Sequence, residues 1–321
     1  MRYLIKLFFV AASLGLGLPA GAQTFPSKPL RIIVPFGPGG TSDLIMRAIA
    51  TEMSQTIGQP VVVENKVGAG GAIGAMEAAR AAPDGYTMLA GNNGTHIVNA
   101  LLKRTAANAY DPYKDFDGVT LVQKTASFIA VNPKLGVSTL DELVALAKTK
   151  PEGVTVATPS NAHMLAVEYL GHRAGVKFRV VPYKGPGPAM ADTIAGHVDM
   201  ILDTGTSVLP QTQAGKLKLI AAASPERMSN MPDLPTVAET YPGYEIVATS
   251  ALFVPANTPP DVVAKLTAEA QKALAQPQVI KLIVDGAGAP ASGDGKDVRQ
   301  WLDTSTALWR NMLDSTGVSL D

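Results

Sequence analysis

The chain contains no cysteine. Disulfides, thiolate metal sites and lipid attachment at an N-terminal cysteine are therefore excluded. Aromatic residues are only 6% of the 321 residues, which disfavours the stacking platforms of a carbohydrate cleft. Charge is balanced, with 27 Lys and Arg against 27 Asp and Glu. No basic block or aromatic-interleaved basic stripe occurs, so nucleic acid is not an expected partner. Catalytic signatures are missing too. There is no G-x-S-x-G turn, H-E-x-x-H helix or P-loop. The histidines His96, His163, His172 and His197 show no metal-ligand spacing with acids, and no cofactor is expected.

One apolar segment stands at the start. Arg2 and Lys6 precede an apolar run from Leu7 to Leu18, and Ala20-Gly21-Ala22 follows before Gln23. This three-part pattern is that of a secretory signal peptide over residues 1–22. The alternatives are a buried N-terminal helix or a membrane anchor, but the run is short of the ~20 residues that span a bilayer. Removing Arg2 and Lys6 leaves 25 basic against 27 acidic residues, a net charge of −2 for the mature chain. No later segment is long and apolar enough to span, so the mature chain is expected to be soluble.

Three glycine-rich turns dominate the rest: Gly37-Pro38-Gly39-Gly40, Gly68-Ala69-Gly70-Gly71-Ala72-Ile73-Gly74 and Gly185-Pro186-Gly187-Pro188. The first lies between the apolar run Leu30–Phe36 and a helical pattern starting near Thr41. A glycine turn at a helix start leaves backbone N–H groups free at the positive end of the helix dipole. That makes an anion site without a basic side chain, and points to a small acid as ligand. The second turn does not have the G-x-G-x-x-G spacing of a dinucleotide loop, because position 73 is isoleucine.

Strand candidates are Leu30–Phe36, Val61–Glu64, Thr87–Ala90, Phe128–Val131, Val154–Ala157, Arg179–Pro182, Asp199–Leu202, Leu217–Ala223 and Glu245–Thr249. Helical periods such as Leu44, Ile45, Ala48, Ile49 and Met53 lie between them. This alternation predicts an α/β protein with largely parallel sheets. Thr41-Ser42-Asp43 can cap the first helix, and Ser138–Glu142 resembles a capping box. About 300 mature residues usually form two domains. No flexible linker marks a tandem boundary, which suits a chain that crosses twice between two lobes, near Gln123–Phe128 and Val247–Leu252.

Seven motifs occur in order: Val34–Asp43, Val61–Lys66, Gly68–Gly74, Pro83–Thr87, Val181–Ala189, Ala214–Leu217 and Leu234–Glu239. Together they resemble the Bug family, the extracytoplasmic solute receptors of tripartite tricarboxylate transporters, over essentially the whole mature chain. The resemblance implies a type II periplasmic binding protein with two α/β lobes around a ligand cleft. Lobe 1 would hold residues 23–124 plus 250–321, and lobe 2 residues 125–249. It further implies a monomeric periplasmic receptor that captures a small organic acid and delivers it to a two-component membrane permease. In such receptors carboxylates are held by N–H groups, hydroxyls, amides and water rather than by an arginine clamp. Two other readings are a ligand-sensing subunit for a signalling kinase and a secreted α/β enzyme.

Gly39, Gly40, Thr41 and Ser42 are the leading ligand contacts, since glycine permits close backbone approach. Asp43 would repel an anion and is read as a structural residue. Asn92, Asn93 and Thr95 could read a carboxylate or hydroxyl, or could form an ordinary Asn-Gly turn. In the second lobe, Thr158–His163 is shorter than the loop the family usually has there and lacks glycine. Ser160, Asn161 and His163 are candidates, with helix capping as the alternative for His163. Asp203 could meet an ammonium or hydroxyl group, or cap the next helix. Lys184 is read as solvated. The ligand carboxylate is expected on the Gly39–Ser42 backbone, with Thr158–His163 closing over it.

Overall fold

The structure is a computed structural model, and it describes residues 25–102 and 110–317. The proposed signal peptide lies outside the described residues.

In chain order the first half carries β1 (Leu30–Val34), α1 (Thr41–Thr56), β2 (Val61–Asn65), α2 (Ala72–Ala79), β3 (Thr87–Asn92), α3 (Asn99–Leu101) and β4 (Phe116–Val131). Then follow α4 (Leu140–Thr149), β5 (Thr155–Thr158), α5 (Asn161–Ala174), β6 (Arg179–Pro182), α6 (Pro186–Ala195), β7 (Met200–Thr204), α7 (Gly205–Gln213) and β8 (Lys218–Ala222). The chain continues with α8 (Val237–Thr240), β9 (Val247–Pro255), α9 (Pro260–Leu274), α10 (Pro277–Asp285), β10 (Gly288–Pro290) and α11 (Gly295–Thr316).

The strands form two sheets that share β4. One sheet contains β2, β1, β3, β9, β4 and β10; the other contains β4, β7, β5, β6 and β8. Strand β4 pairs with β9 as far as Ala126, opposite Val247, and with β7 from Ser127, opposite Thr204. The Ser127 amide also donates to the Ile246 carbonyl at 3.2 Å. The two passages between sheets thus run side by side, as continuous hydrogen-bonded strand rather than as separate hinge segments.

Two expectations need correction. The sheets are mixed rather than largely parallel, because every pairing of β4 is antiparallel and β9 runs antiparallel to β3. Strand β4 also starts at Phe116, twelve residues before the expected Phe128. Gly118, Gln123, Lys124 and Thr125 interrupt its apolar pattern, and its register slips twice against β9. The sequence signal of a strand buried on one face is lost where bulges re-aim side chains.

Periodicity explains the packing around these sheets. Ile45, Met46, Ile49 and Met53 of α1 are fully buried and join Leu30, Ile32 and Val34 of β1 in one apolar cluster. Such side chains each contribute roughly 1.5–3 kcal/mol on burial. A second cluster lies between α5, α11 and the sheets, and a third around Phe128, Ile201 and Val208. The long helix α11 packs on β4, the strand both sheets share, and on α5. This is a two-lobed α/β fold.

Candidate functional site

The sheets place several strand-to-helix junctions around one cleft. Lining it are the β1–α1 turn, the end of β3, the crossing segments of β4 and β9, the starts of α5 and α6, the end of β7, and Trp309 of α11. It encloses about 720 Å³ of space, its open mouth included. Four helices of nine or more residues begin here: α1 after Gly40, α5 after Ser160, α6 after Gly185 and α7 after Thr204. Their first-turn N–H groups have no intrahelical acceptors, and their dipoles bring partial positive charge to the cleft. Among the described residues, no lysine or arginine lines it.

The two sides meet directly. Thr41 Oγ1 and Thr204 Oγ1 lie 2.6 Å apart. A Cβ added at Gly40 would stand 2.7 Å from Pro186 Cγ. Farther along, Asn161 Nδ2 donates to Asn99 Oδ1 at 2.7 Å. Gly70, beneath Asn161, has φ +62 and no room for a side chain, because a Cβ there would lie 2.4 Å from Asn161 Nδ2.

Eight of the expected residues line the cleft: Gly40, Thr41, Ser42, Asn92, Asn93, Ser160, His163 and Asp203. Gly39, Thr95 and Asn161 are placed outside its lining. The Gly39 amide donates to Asp43 Oδ2 at 3.0 Å. Thr95 is fully buried; its Oγ1 accepts from the Asn92 amide and lies 2.9 Å from His96 Nδ1. Asn161 spends its amide on Asn99. Asn93 is partly committed as well, since its Oδ1 accepts from the Thr249 amide at 2.6 Å and ties β3 to β9.

Helix α1 is capped differently from the expectation. Its N-cap is Gly40, which offers no side chain. Asp43 compensates from inside the first turn by accepting from Gly39 and from Asn65 Nδ2, and it pairs with Arg47 at 2.9 Å. Burial alone would raise the Asp43 carboxyl; the bonds from Arg47, Gly39 and Asn65 outweigh it and hold the group below its usual range. Arg47 also donates to Asn65 Oδ1, so its guanidinium is committed to the turn.

On the opposite side, Ser160, His163 and Asp203 form a chain. Ser160 Oγ lies 2.9 Å from His163 Nδ1 and accepts from the His163 amide at 3.4 Å. His163 Nε2 is 3.7 Å from Asp203 Oδ1. A hydroxyl that accepts from the helix can give its own proton to Nδ1, which leaves the ring proton on Nε2, facing Asp203. Burial pushes His163 down, against the pull of Asp203, and pushes Asp203 up, against His163, Thr204 and Ser207. Both groups are therefore biased toward their neutral forms.

Several cleft residues escaped the sequence reading: Phe36, Gln123, Ser127, Pro186, Thr204, Ser250 and Trp309 among them. The position of Thr204 directly before α7 was a readable signal, since strand-end helix starts recur at ligand sites. Nothing local marks Trp309, whose place depends on α11 folding back over both sheets.

A cleft between two α/β lobes, rimmed by helix starts and, among the described residues, without lysine or arginine, is the architecture of a solute receptor. Residues 45–318 match the tripartite tricarboxylate transporter family receptor, TctC. The chain is similar to protein BugT of Bordetella pertussis, 31% identical over 99% of this chain and 98% of the relative. Two solved structures from Rhodopseudomonas palustris share the fold. One, with adipate, is 28% identical at a TM-score of 0.87 and covers 91% of this chain and 98% of its own. The other, MatC with bound malate, is 31% identical at a TM-score of 0.84 and covers 90% and 100%. The chain belongs to the Bug family of tripartite tricarboxylate transporter receptors. It is a solute-binding receptor and not an enzyme. Among the described residues no helix is long and apolar enough to cross a membrane.

Proposed function

We propose that this protein captures a small organic carboxylate in the periplasm, between a lobe of residues 23–124 plus 250–321 and a lobe of residues 125–249. It then hands the cargo to a tripartite tricarboxylate-type membrane permease and acts as a monomer. The observation that carries the ligand class is the convergence of α1, α5, α6 and α7 on a cleft without lysine or arginine among the described residues. Aligned N–H dipoles and hydroxyls stabilise an anion there while remaining neutral. The carboxylate rests on the Gly40–Ser42 backbone, with Ser42 and Asn92 beside it and Ser160 and His163 closing from the other lobe. Relatives with adipate and malate bound support this class. Export across the inner membrane rests on the charged, apolar and small-residue pattern of residues 1–22.

The test is a thermal-shift screen of mono-, di- and tricarboxylates on the mature protein. A cognate acid at a hundredfold excess over Kd adds about 2.7 kcal/mol of stability. Arg47→Ala and Lys184→Ala are expected to retain the affinity of the cognate acid. Loss of binding in Lys184→Ala would replace the dipole grip by direct charge pairing; for Arg47→Ala, which also loosens the Asp43 turn, it would do so only if the Asn65→Ala protein keeps its affinity.

A further inference from the structure

Asn161 directly follows Ser160, the N-cap of α5, yet it stands outside the cleft lining. Its Nδ2 donates to Asn99 Oδ1 at 2.7 Å, 62 positions away. Asn99 is fully buried at the start of α3. Its own Nδ2 donates to the Gly70 carbonyl at 3.2 Å and to the Tyr110 hydroxyl at 3.4 Å. Tyr110 donates in turn to the Thr95 carbonyl. A carbonyl oxygen accepts and never donates, so Gly70 fixes the Asn99 amide with its oxygen toward Asn161.

The bonds among Gly70, Thr95, Asn99 and Tyr110 all lie within residues 23–124. They preset the Asn99 oxygen whether or not the lobes are together. The bond from Asn161 needs residues 125–249 to close on that lobe. Gly70 shapes the seat. Its φ is +62, and a Cβ there would lie 2.4 Å from Asn161 Nδ2 and 2.7 Å from Asn161 Cγ. The Asn161 amide therefore sits against a bare Cα that no other residue type supplies without a clash. This gives the second glycine-rich turn a task that ligand contact does not: Gly70, Asn99 and Asn161 are all outside the cleft lining.

We propose that Asn161 and Asn99, seated on Gly70, form a latch between the lobes that retains cargo without touching it. Asn161 is then a positioning residue: engaging the latch fixes the start of α5, and with it Ser160 and His163, over the cleft. The latch depends on the two-lobe division above and on no particular ligand chemistry. In the open receptor water satisfies both amides, so the bond contributes its net value, about threefold to tenfold in affinity. It forms after encounter, so it slows release and leaves capture unchanged. Its contribution is one common factor for every cargo that closes the receptor fully, because a conformational equilibrium scales all such affinities alike.

Closure can be measured without any ligand, because the chain has no cysteine of its own. At the cleft mouth a Cβ at Gly187 would stand 3.6 Å from the Pro38 carbonyl. A Pro38→Cys, Gly187→Cys protein therefore forms its disulfide when the lobes meet, at a rate that follows the closed fraction. Asn161→Ala is expected to slow this trapping about threefold to tenfold in ligand-free protein. In an Asn99→Ala background, Asn161→Ala is expected to add nothing, since the bond is already gone. Without the engineered cysteines, stopped-flow binding is followed with succinate, malate, adipate and citrate. For each acid that binds, Asn161→Ala is expected to raise the dissociation rate by that same factor and to leave the association rate unchanged. Alanine is well tolerated in a first helical turn, and Asn161→Ser repeats the test should it not be. Unchanged trapping in folded Asn161→Ala overturns the latch. So does a loss of affinity that differs by more than about tenfold between acids, which would make Asn161 a ligand contact. Failure of every acid to bind overturns the carboxylate reading instead, and the trapping rate still decides the latch.

Discussion

The hydroxyls of Thr41 and Thr204 meet at 2.6 Å across the cleft, 163 residues apart in sequence. Thr41 is the first residue of α1 and Thr204 the N-cap of α7. Neither hydroxyl caps its own helix. Each is free to serve the other, so one hydrogen bond joins two helix starts that face the cleft.

A double-mutant cycle tests that link. Thr41→Val and Thr204→Val are each expected to weaken cargo binding by about 0.5–1.5 kcal/mol, the net value of one hydrogen bond. Because both remove the same bond, the double variant is expected to lose little more than the worse single one. Calorimetry on the four proteins gives the coupling energy. Simple additivity would show that the two hydroxyls act separately on the ligand.

Gly40 and Gly39 make a contrasting pair. Gly40 has an ordinary φ of −82, yet a Cβ there would stand 2.7 Å from the stiff Pro186 ring on the facing side. Gly39 has φ +81 and open space around it. Gly40→Ala is expected to hinder closure, weakening binding by about tenfold or more with little change in unfolding temperature, since its backbone suits alanine. Gly39→Ala is expected to do the reverse, costing roughly 1 kcal/mol of stability through left-handed strain. Paired calorimetry and thermal melts decide this; a Gly40→Ala protein of unchanged affinity would rule out the contact as a limit on closure.

His96 sets a pH dependence. It stacks on Phe253 with ring centres 3.8 Å apart, and burial pushes its pKa down to about 3. The unfolded chain, with a histidine near 6.5, takes up this proton more readily than the folded one. Its full contribution is therefore present above pH ~6.5 and declines as pH falls toward ~3, by about 2 kcal/mol at pH ~5. Urea unfolding at pH ~7.5 and pH ~5 should show a smaller difference in His96→Leu than in wild type. An equal difference would place the pH sensitivity elsewhere.

Much was legible in the sequence because it is local. Glycine turns, capping residues and 3.6-residue periods mark where α1, α5 and α6 begin, and β-rich runs mark β1, β2, β3, β5, β6 and β7 close to their observed bounds. The β1–α1 turn could be proposed as a ligand position on that ground, since a helix start exposes its N–H groups whatever surrounds it. Asp43 could be read as structural from its sign and its place in the first turn.

Whether a given donor or acceptor remains available was decided only in three dimensions. Asn93 Oδ1 is consumed by Thr249 and the Asn161 amide by Asn99, 156 and 62 positions away, and no local pattern announces these partners. The same holds for β4, whose sixteen residues belong to two sheets, and for Trp309, carried to the cleft by α11. Sequence by itself determined which backbone groups each segment leaves unpaired, because dihedral preference and periodicity act over a few residues. Tertiary structure decided which of them face the cleft, because that depends on strand register and lobe contact between residues distant in sequence, 163 positions apart for Thr41 and Thr204.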